Sequence, residues 1–174
     1  ADGASELALK LESEPIDGRR LVKTYTFKRS DYVVGVKHEV FNDGSAPVTP
    51  QLYLQLERDG TPPEGESQFY FTFTGPAVYT DANKFVKVDF KDIEKGKAEF
   101  DRSADNGWIA MVQHYFASSW LVAQGTPREY RSSKVGNNHY AITMIQSLGE
   151  VAPGASKAHE ARLCLFGHGP FEVG

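Results

Sequence analysis

The stretch "NGWIAMVQHYFASSWLV", residues 106–122, is the most apolar run in the sequence, and its conformation decides the fold class. It is too short for a membrane span, which needs about 18 consecutive apolar residues. An amphipathic helix would align Ile109, Phe116 and Trp120 along one stripe, so periodicity alone permits a helix. The choice between helix and strand therefore depends on the surrounding sequence.

The flanking sequence favours a strand. Turn residues enclose the run, with "DNG" at 105–107 before it and "GTP" at 125–127 after it. The rest of the chain shows strand patterns and almost no helical periodicity. We therefore predict that residues 108–120 form a strand that is buried on both faces and bent at residues 117–119.

Period-two alternation predicts most of the other strands. In "LVKTYTFKR" (21–29), for example, Leu21, Tyr25 and Phe27 fall on one face. The charged segment "KDIEKGKAEF" (91–100) forms either a helical turn or another short strand, because Gly96 opposes a long helix. The further predicted strands are "YVVGVKHEVFN" (32–42), "QLYLQLERDG" (51–60), "QFYFTFTGP" (68–76), "FVKVDF" (85–90), "HYAITMIQSLGEV" (139–151) and "KAHEARLCLFG" (157–167).

Strands at this spacing predict an all-β fold with little helix, an antiparallel sandwich. The length of 174 residues and the hydrophobic content of 40% fit one domain with a core of its own, over residues 1–174. The net charge of -4 argues against a nucleic-acid partner, because phosphate neutralisation needs a dense basic face. No predicted segment is a transmembrane span.

The sequence contains no motif that would support catalysis. Five histidines occur without the spacing of a zinc site, so we predict no metal, no other cofactor and no enzymatic activity. His114 is interpreted as a residue at the edge of the core whose ring nitrogens bind backbone groups. Cys164, the one cysteine, lies between two leucines and is interpreted as a small buried hydrophobic residue.

Aromatic residues are concentrated in the middle third of the sequence. About half of them would fill the core of a two-layer sandwich, and the others could line a cleft for a sugar or a peptide. The candidate binding residues are Phe69, Phe71, Phe73, Tyr79 and Trp108.

Two motifs resemble a known family. The first is F-x-G-x-A-x-Y-T, which runs from Phe73 to Thr80, and the second is GW-x-A-M-x-Q-x-YF-x-x-x-W, which runs from Gly107 to Trp120. With "LVKTYTFKRSDYVVGVKHEVFNDGSAPV" at 21–48, they resemble the large periplasmic domain of the bacterial membrane protein insertase family YidC. The resemblance covers about residues 20–165.

This resemblance implies a β-supersandwich of the galactose mutarotase-like kind, located in the periplasm. It implies a fragment of a larger membrane protein, anchored in the inner membrane through the full-length chain, with domain sequence before residue 1 and a helix toward the membrane after the last strand. The family inserts and folds inner-membrane proteins, so the implied partners are nascent membrane proteins and the accessory proteins of the Sec translocon (SecDF). The candidate contact surface is the edge at residues 47–95.

Three functions follow from these observations. The first is a non-catalytic interaction or scaffold domain of an insertase, the second a carbohydrate- or peptide-binding module, and the third a mutarotase-like enzyme. A scaffold requires largely buried aromatics and a free edge or polar face. A binding module requires exposed rings in a cleft, and an enzyme requires a histidine and a carboxylate that converge there.

Overall fold

The computed structural model of the protein describes residues 3–62 and 72–167. These residues form strands joined by turns, with one short helix, α1 (Phe90–Glu94). The strands are β1 (Glu6–Glu12), β2 (Arg19–Lys28), β3 (Val33–Asn42), β4 (Gln51–Asp59), β5 (Gly75–Thr80), β6 (Lys84–Lys87), β7 (Ser103–Ala104), β8 (Trp108–Gln113), β9 (Phe116–Val122), β10 (Arg128–Gly136), β11 (His139–Ser147) and β12 (Ser156–Gly167).

The strands form two antiparallel sheets of unequal width. The larger sheet has eight strands in the order β1-β2-β3-β12-β9-β8-β5-β6, and the smaller has four in the order β4-β11-β10-β7. This arrangement confirms the predicted all-β antiparallel sandwich.

The core lies between the two sheets. The smaller sheet places Leu52, Leu54, Ile142 and Met144 against the middle of the larger sheet, and all four are buried. β11, which lies between β4 and β10, is buried from residue 140 to residue 146. The face of the larger sheet that points toward the smaller one is called the inner face below, and the opposite face is called the outer face.

Strand pairing assigns side chains to these two faces. Ile109 pairs with Trp120 and with Val78, so these three side chains share the inner face. Trp108 pairs with Tyr79, and both side chains lie on the outer face. Directly opposed residues of antiparallel strands point to the same side of a sheet, so each row of paired residues can be followed across the larger sheet.

The prediction of one bent strand over residues 108–120 is wrong. The run forms two strands, β8 and β9, that pair with each other through a turn at His114 and Tyr115. Tyr115 adopts a φ of 72°, in the left-handed region that such tight reversals use. The apolar composition concealed the turn, because neither turn residue is a glycine, asparagine or proline.

Other predicted elements differ in extent. β1 and β10 were not predicted, although "ELALKLE" in β1 alternates leucine with charged or small residues. β10, "REYRSSKVG", is polar and becomes a strand through its pairing with β11. For the segment 91–100, the helical turn is the correct one of the two predicted alternatives, because the segment contains the end of α1. Much of the predicted strand 68–76 lies outside the described residues, and β5 begins at Gly75.

Candidate interaction surfaces

Three aromatic side chains form a row on the outer face of the larger sheet. Phe85 of β6 pairs with Tyr79 of β5, which pairs with Trp108 of β8. The rings of Tyr79 and Trp108 are parallel within 2° with centroids 5.3 Å apart, and Phe85 lies 5.8 Å from Trp108 at a tilt of 46°. This geometry is typical of aromatic pairs that stabilise each other across strands.

The ring faces in this row are largely occupied by neighbours. Tyr79 has Trp108 at 5.3 Å and the Lys84 ammonium 6.0 Å from its ring centroid. Stacking of a sugar on Tyr79 or Trp108 would have to displace these contacts. The row therefore resembles cross-strand packing more than an open platform for a ligand.

The predicted aromatic cleft is only partly assembled among the described residues. Tyr79 and Trp108 are adjacent, as described above. Phe73 lies beside Gly75 at the opposite end of β5, with the Lys87 ammonium 5.2 Å from its ring centroid. Phe69 and Phe71 lie outside the described residues.

One histidine lies close to a carboxylate, which is the pairing that an enzyme would need. The Nε2 atom of His139 lies 3.1 Å from Oε2 of Glu57, and the two side chains are 42% and 45% exposed. Such a surface pair is screened by water and contributes little energy. The Nδ1 atom of His114 lies 2.8 Å from the Thr72 hydroxyl, so this histidine binds a side chain where a backbone partner was predicted.

Two further histidines face each other on the inner face. His38 of β3 pairs with His159 of β12, and neither Nδ1 atom has a hydrogen-bond partner among the described residues. Burial, together with the nearby charges of Lys23 and His159, lowers the pKa of His38 to about 4. Burial also lowers the pKa of His159. Both rings are therefore neutral near pH 7, and no carboxylate contributes to the pKa of His38.

A buried arginine joins the ends of several strands. Arg128 is 2% exposed, and its guanidinium donates hydrogen bonds to the carbonyls of Thr126, Gly107, Asp105 and Ala123. Burial lowers its pKa, but the four carbonyl acceptors compensate the charge. This residue is structural, and no pattern in the sequence indicated that it would be buried.

Cys164 is 6% exposed, in agreement with the predicted buried position. Burial raises the pKa of its thiol, which disfavours the reactive thiolate.

The predicted contact edge at residues 47–95 divides into two separate surfaces. Its first part contains β4, an edge strand of the smaller sheet. Its last part contains β6, an edge strand of the larger sheet, and α1, which packs against β10 of the smaller sheet. We call the second surface, residues 84–97, the lysine corner.

The lysine corner is basic on an acidic protein. Five lysines and three carboxylates within residues 84–97 give a local charge of +2, whereas the whole chain carries -4. One of these carboxylates, Glu94, is already paired with Lys134 at 2.6 Å. The five lysines, all exposed, are Lys84, Lys87, Lys91, Lys95 and Lys97.

Residues 3–62 and 72–167 lack two further kinds of site. In these ranges, no three histidine, cysteine or acidic side chains converge as they would around a metal ion. The same ranges contain no helix with the length and apolar character needed to cross a membrane.

Solved structures with a similar fold are enzymes that act on sugars. A galactose mutarotase related enzyme from Lactobacillus acidophilus covers 95% of this chain with a TM-score of 0.52, at 8% identity and over 68% of its own length. A GH36 α-galactosidase from Geobacillus stearothermophilus covers 95% of this chain and 24% of its own, with a TM-score of 0.59 at 10% identity. At such low identities the likeness shows the fold alone, which is a galactose mutarotase-like β-sandwich.

Sequence comparison identifies the family. Residues 1–166 match the family model of the YidC periplasmic domain. The membrane protein insertase YidC of Cupriavidus necator is 52% identical over 162 residues, 93% of this chain and 29% of the relative. The insertase of Janthinobacterium sp. is 51% identical over the same length, covering 28% of that relative.

Fold and comparisons together define a mutarotase-like sandwich domain of a bacterial membrane protein insertase. The chain belongs to the family of YidC periplasmic domains. It spans less than a third of the length of the curated relatives it matches.

Proposed function

We propose that this domain is a non-catalytic docking body of a periplasmic, membrane-anchored insertase. It serves the insertion and folding of inner-membrane proteins by binding accessory proteins of the Sec translocon, the SecDF complex, while nascent membrane proteins are handled by the full-length chain. The observation that carries this proposal is the lysine corner, a basic surface with five exposed lysines on an otherwise acidic chain.

Several features support docking over sugar or peptide binding in an aromatic cleft. The rings of Tyr79 and Trp108 stack on each other, and Phe85 is only 36% exposed. The histidine–carboxylate pair is a surface contact, and no carboxylate contributes to the pKa of the inward-facing His38. Charged residues around a short edge strand, as in β6, suit reversible contact with a partner of opposite charge.

Charge reversal tests this proposal. Lys84→Glu, Lys91→Glu and Lys95→Glu together change the corner from basic to acidic, and we expect capture of solubilised Sec accessory complex to fall by about tenfold or more, because complementary charges steer docking. Capture by the full-length insertase is measured by pull-down at fixed salt.

The matched control places the same change elsewhere. Lys10→Glu with Lys37→Glu alters two exposed or half-exposed positions on the outer face, far from the corner in strand order, and should leave capture unchanged. If the lysine-corner variant is folded by circular dichroism and its capture is undiminished, the lysine corner is not the docking surface.

A further inference from the structure

β6 ends the larger sheet, and one of its two sides has no partner strand among the described residues. The N–H of Val88, just after β6, donates to the Pro76 carbonyl at 2.9 Å, which fixes the alternation of bonds between β5 and β6. Bonded pairs alternate along an antiparallel ladder, so Lys84 and Val86 bond to β5. The N–H and C=O groups of Phe85 and Lys87 therefore point to the open edge.

This edge is accessible. Lys84, Phe85 and Lys87 are exposed, and Val86 is half-buried. In the part of the chain that the structure describes, no hydrogen bond joins the backbone of Phe85 or Lys87 to the chain that follows β6. That chain turns to the inner face, where Ile93 of α1 is buried in the core. The open side of β6 is thus left free.

The side chains at this edge specify what would pair with it. Phe85 and Lys87 pair with Tyr79 and Ala77 of β5, so both side chains lie on the outer face. A strand added to β6 would place one residue opposite Phe85 and a second, two positions away, opposite Lys87. Cross-strand pairing favours a large apolar residue opposite Phe85 and a carboxylate opposite Lys87. The other lysines of the lysine corner would attract further carboxylates.

We infer, on the basis of the proposed docking function, that the partner binds the lysine corner by adding a β-strand to β6. The added strand is an extended acidic segment in which a carboxylate and a large apolar residue lie two positions apart. In this mode of recognition the main-chain hydrogen bonds supply affinity, and the alternate side chains supply specificity.

An acidic segment of another protein is a better occupant than a second copy of this chain. Pairing β6 with itself would bring together the lysines of two strands that each carry Lys84 and Lys87 within four residues, and like charges across a strand pair are destabilising. Lysines on a short edge strand also protect it against unselective pairing. The edge is therefore open to a strand of opposite charge and closed to others.

Two substitutions at one residue test the added strand. Lys87→Pro and Lys87→Gln both remove the ammonium, but only proline also removes the backbone N–H that the added strand would bond. Proline is tolerated on an edge strand where its missing N–H faces outward. In pull-downs of solubilised Sec accessory complex by the full-length insertase, we expect capture by Lys87→Pro to be about tenfold lower than capture by Lys87→Gln, because an added strand depends on main-chain bonds.

Amide hydrogen exchange in the unsubstituted full-length insertase provides an independent measurement. The amides of Phe85 and Lys87 should exchange about tenfold more slowly once the complex is bound, because they become bonded, whereas the amide of Val86 already bonds to β5 and should change little. If circular dichroism shows that Lys87→Pro is unfolded, this measurement decides alone.

Equal capture by the two variants, with exchange at Phe85 and Lys87 unchanged by the complex, would overturn the added strand. If charge reversal of the lysine corner still lowers capture in that case, the proposed function stands and docking uses side chains alone. If charge reversal has no effect either, the proposed function fails as well. Slow exchange at both amides before the complex is added would assign the edge to another part of the parent chain and would also overturn the inference.

Discussion

At the scale of single residues, the facing histidines His38 and His159 link the stability of the fold to pH, and this link can be tested. In the unfolded chain His38 takes up a proton near pH 6.5, whereas in the folded chain it does so only near pH 4. Protons therefore favour unfolding between these values, and the associated stability is present above pH 6.5 and is lost as the pH falls toward 4.

His38→Gln should reduce this pH dependence. The charged or titratable groups that act on His38 are Lys23 and His159. The remaining dependence comes from other groups whose pKa is lowered in the folded chain, which include His159, Glu12, Asp59 and Glu94. The measurement is the urea midpoint between pH 7 and pH 4. Lys37→Gln, next in sequence and on the opposite face, should leave the slope as in the unsubstituted protein, and an equal loss of slope in both variants would refute the assignment.

Single-residue environments were predictable where burial follows from neighbours in sequence. The leucines beside Cys164 indicated a buried strand, and the thiol is indeed buried. The burial of Arg128 could not be predicted, because its four carbonyl partners come from turns that approach it only in the folded chain. The stacking of Tyr79 on Trp108 likewise depends on the pairing of β5 with β8.

At the scale of elements, the junction before β8 depends on a glycine. Gly107 has a φ of 98°, and a Cβ atom there would lie 1.9 Å from the carbonyl oxygen of Tyr79. Gly107→Ala should lower the free energy of unfolding by about 3 kcal/mol, because it combines backbone strain with a clash against the neighbouring strand.

Gly125→Ala provides the matched control. Gly125 has a φ of 85°, but a Cβ atom there would meet nothing within 4 Å. Gly125→Ala should lower the free energy of unfolding by about 1 kcal/mol, because only the left-handed conformation opposes it. Chemical denaturation of both variants separates the two effects, and equal losses would contradict the close contact at Gly107.

Elements were predictable where the alternation of residues matches a half-buried face, as in β2, β3 and β4. The hairpin of β8 and β9 was not, because Tyr115 supplies a left-handed turn without a typical turn residue. β10 has too little apolar character to indicate a strand, and its formation depends on backbone pairing with β11.

At the scale of the whole molecule, the unequal widths of the two sheets determine which side chains are exposed. The larger sheet extends beyond the smaller one on the side of β1, where Leu7, Leu9 and Leu11 are about half exposed. At the other end it carries the lysine corner. The lysine corner and the exposed leucines of β1 thus lie at opposite ends of the larger sheet, and each can be altered without the other.

The fold class and family were predictable from sequence, and the position of the surfaces was not. The motifs around Tyr79 and Trp108 led to the family, which the comparisons confirm. The predicted edge at 47–95 is continuous in sequence but divided in space, since β4 and β6 belong to opposite edges of different sheets. Strand order depends on long-range pairing that local patterns do not specify.

Amide hydrogen exchange along β4 tests the central claim, that the sandwich has two sheets and that β4 ends the smaller one without a further partner strand among the described residues. In the 174-residue chain, the amides of Leu52, Leu54 and Leu56 should exchange slowly, because they bond to β11. Those of Tyr53 and Glu57 should exchange about tenfold or more faster, because they face the free edge. Uniformly slow exchange across residues 52–57 would contradict the account.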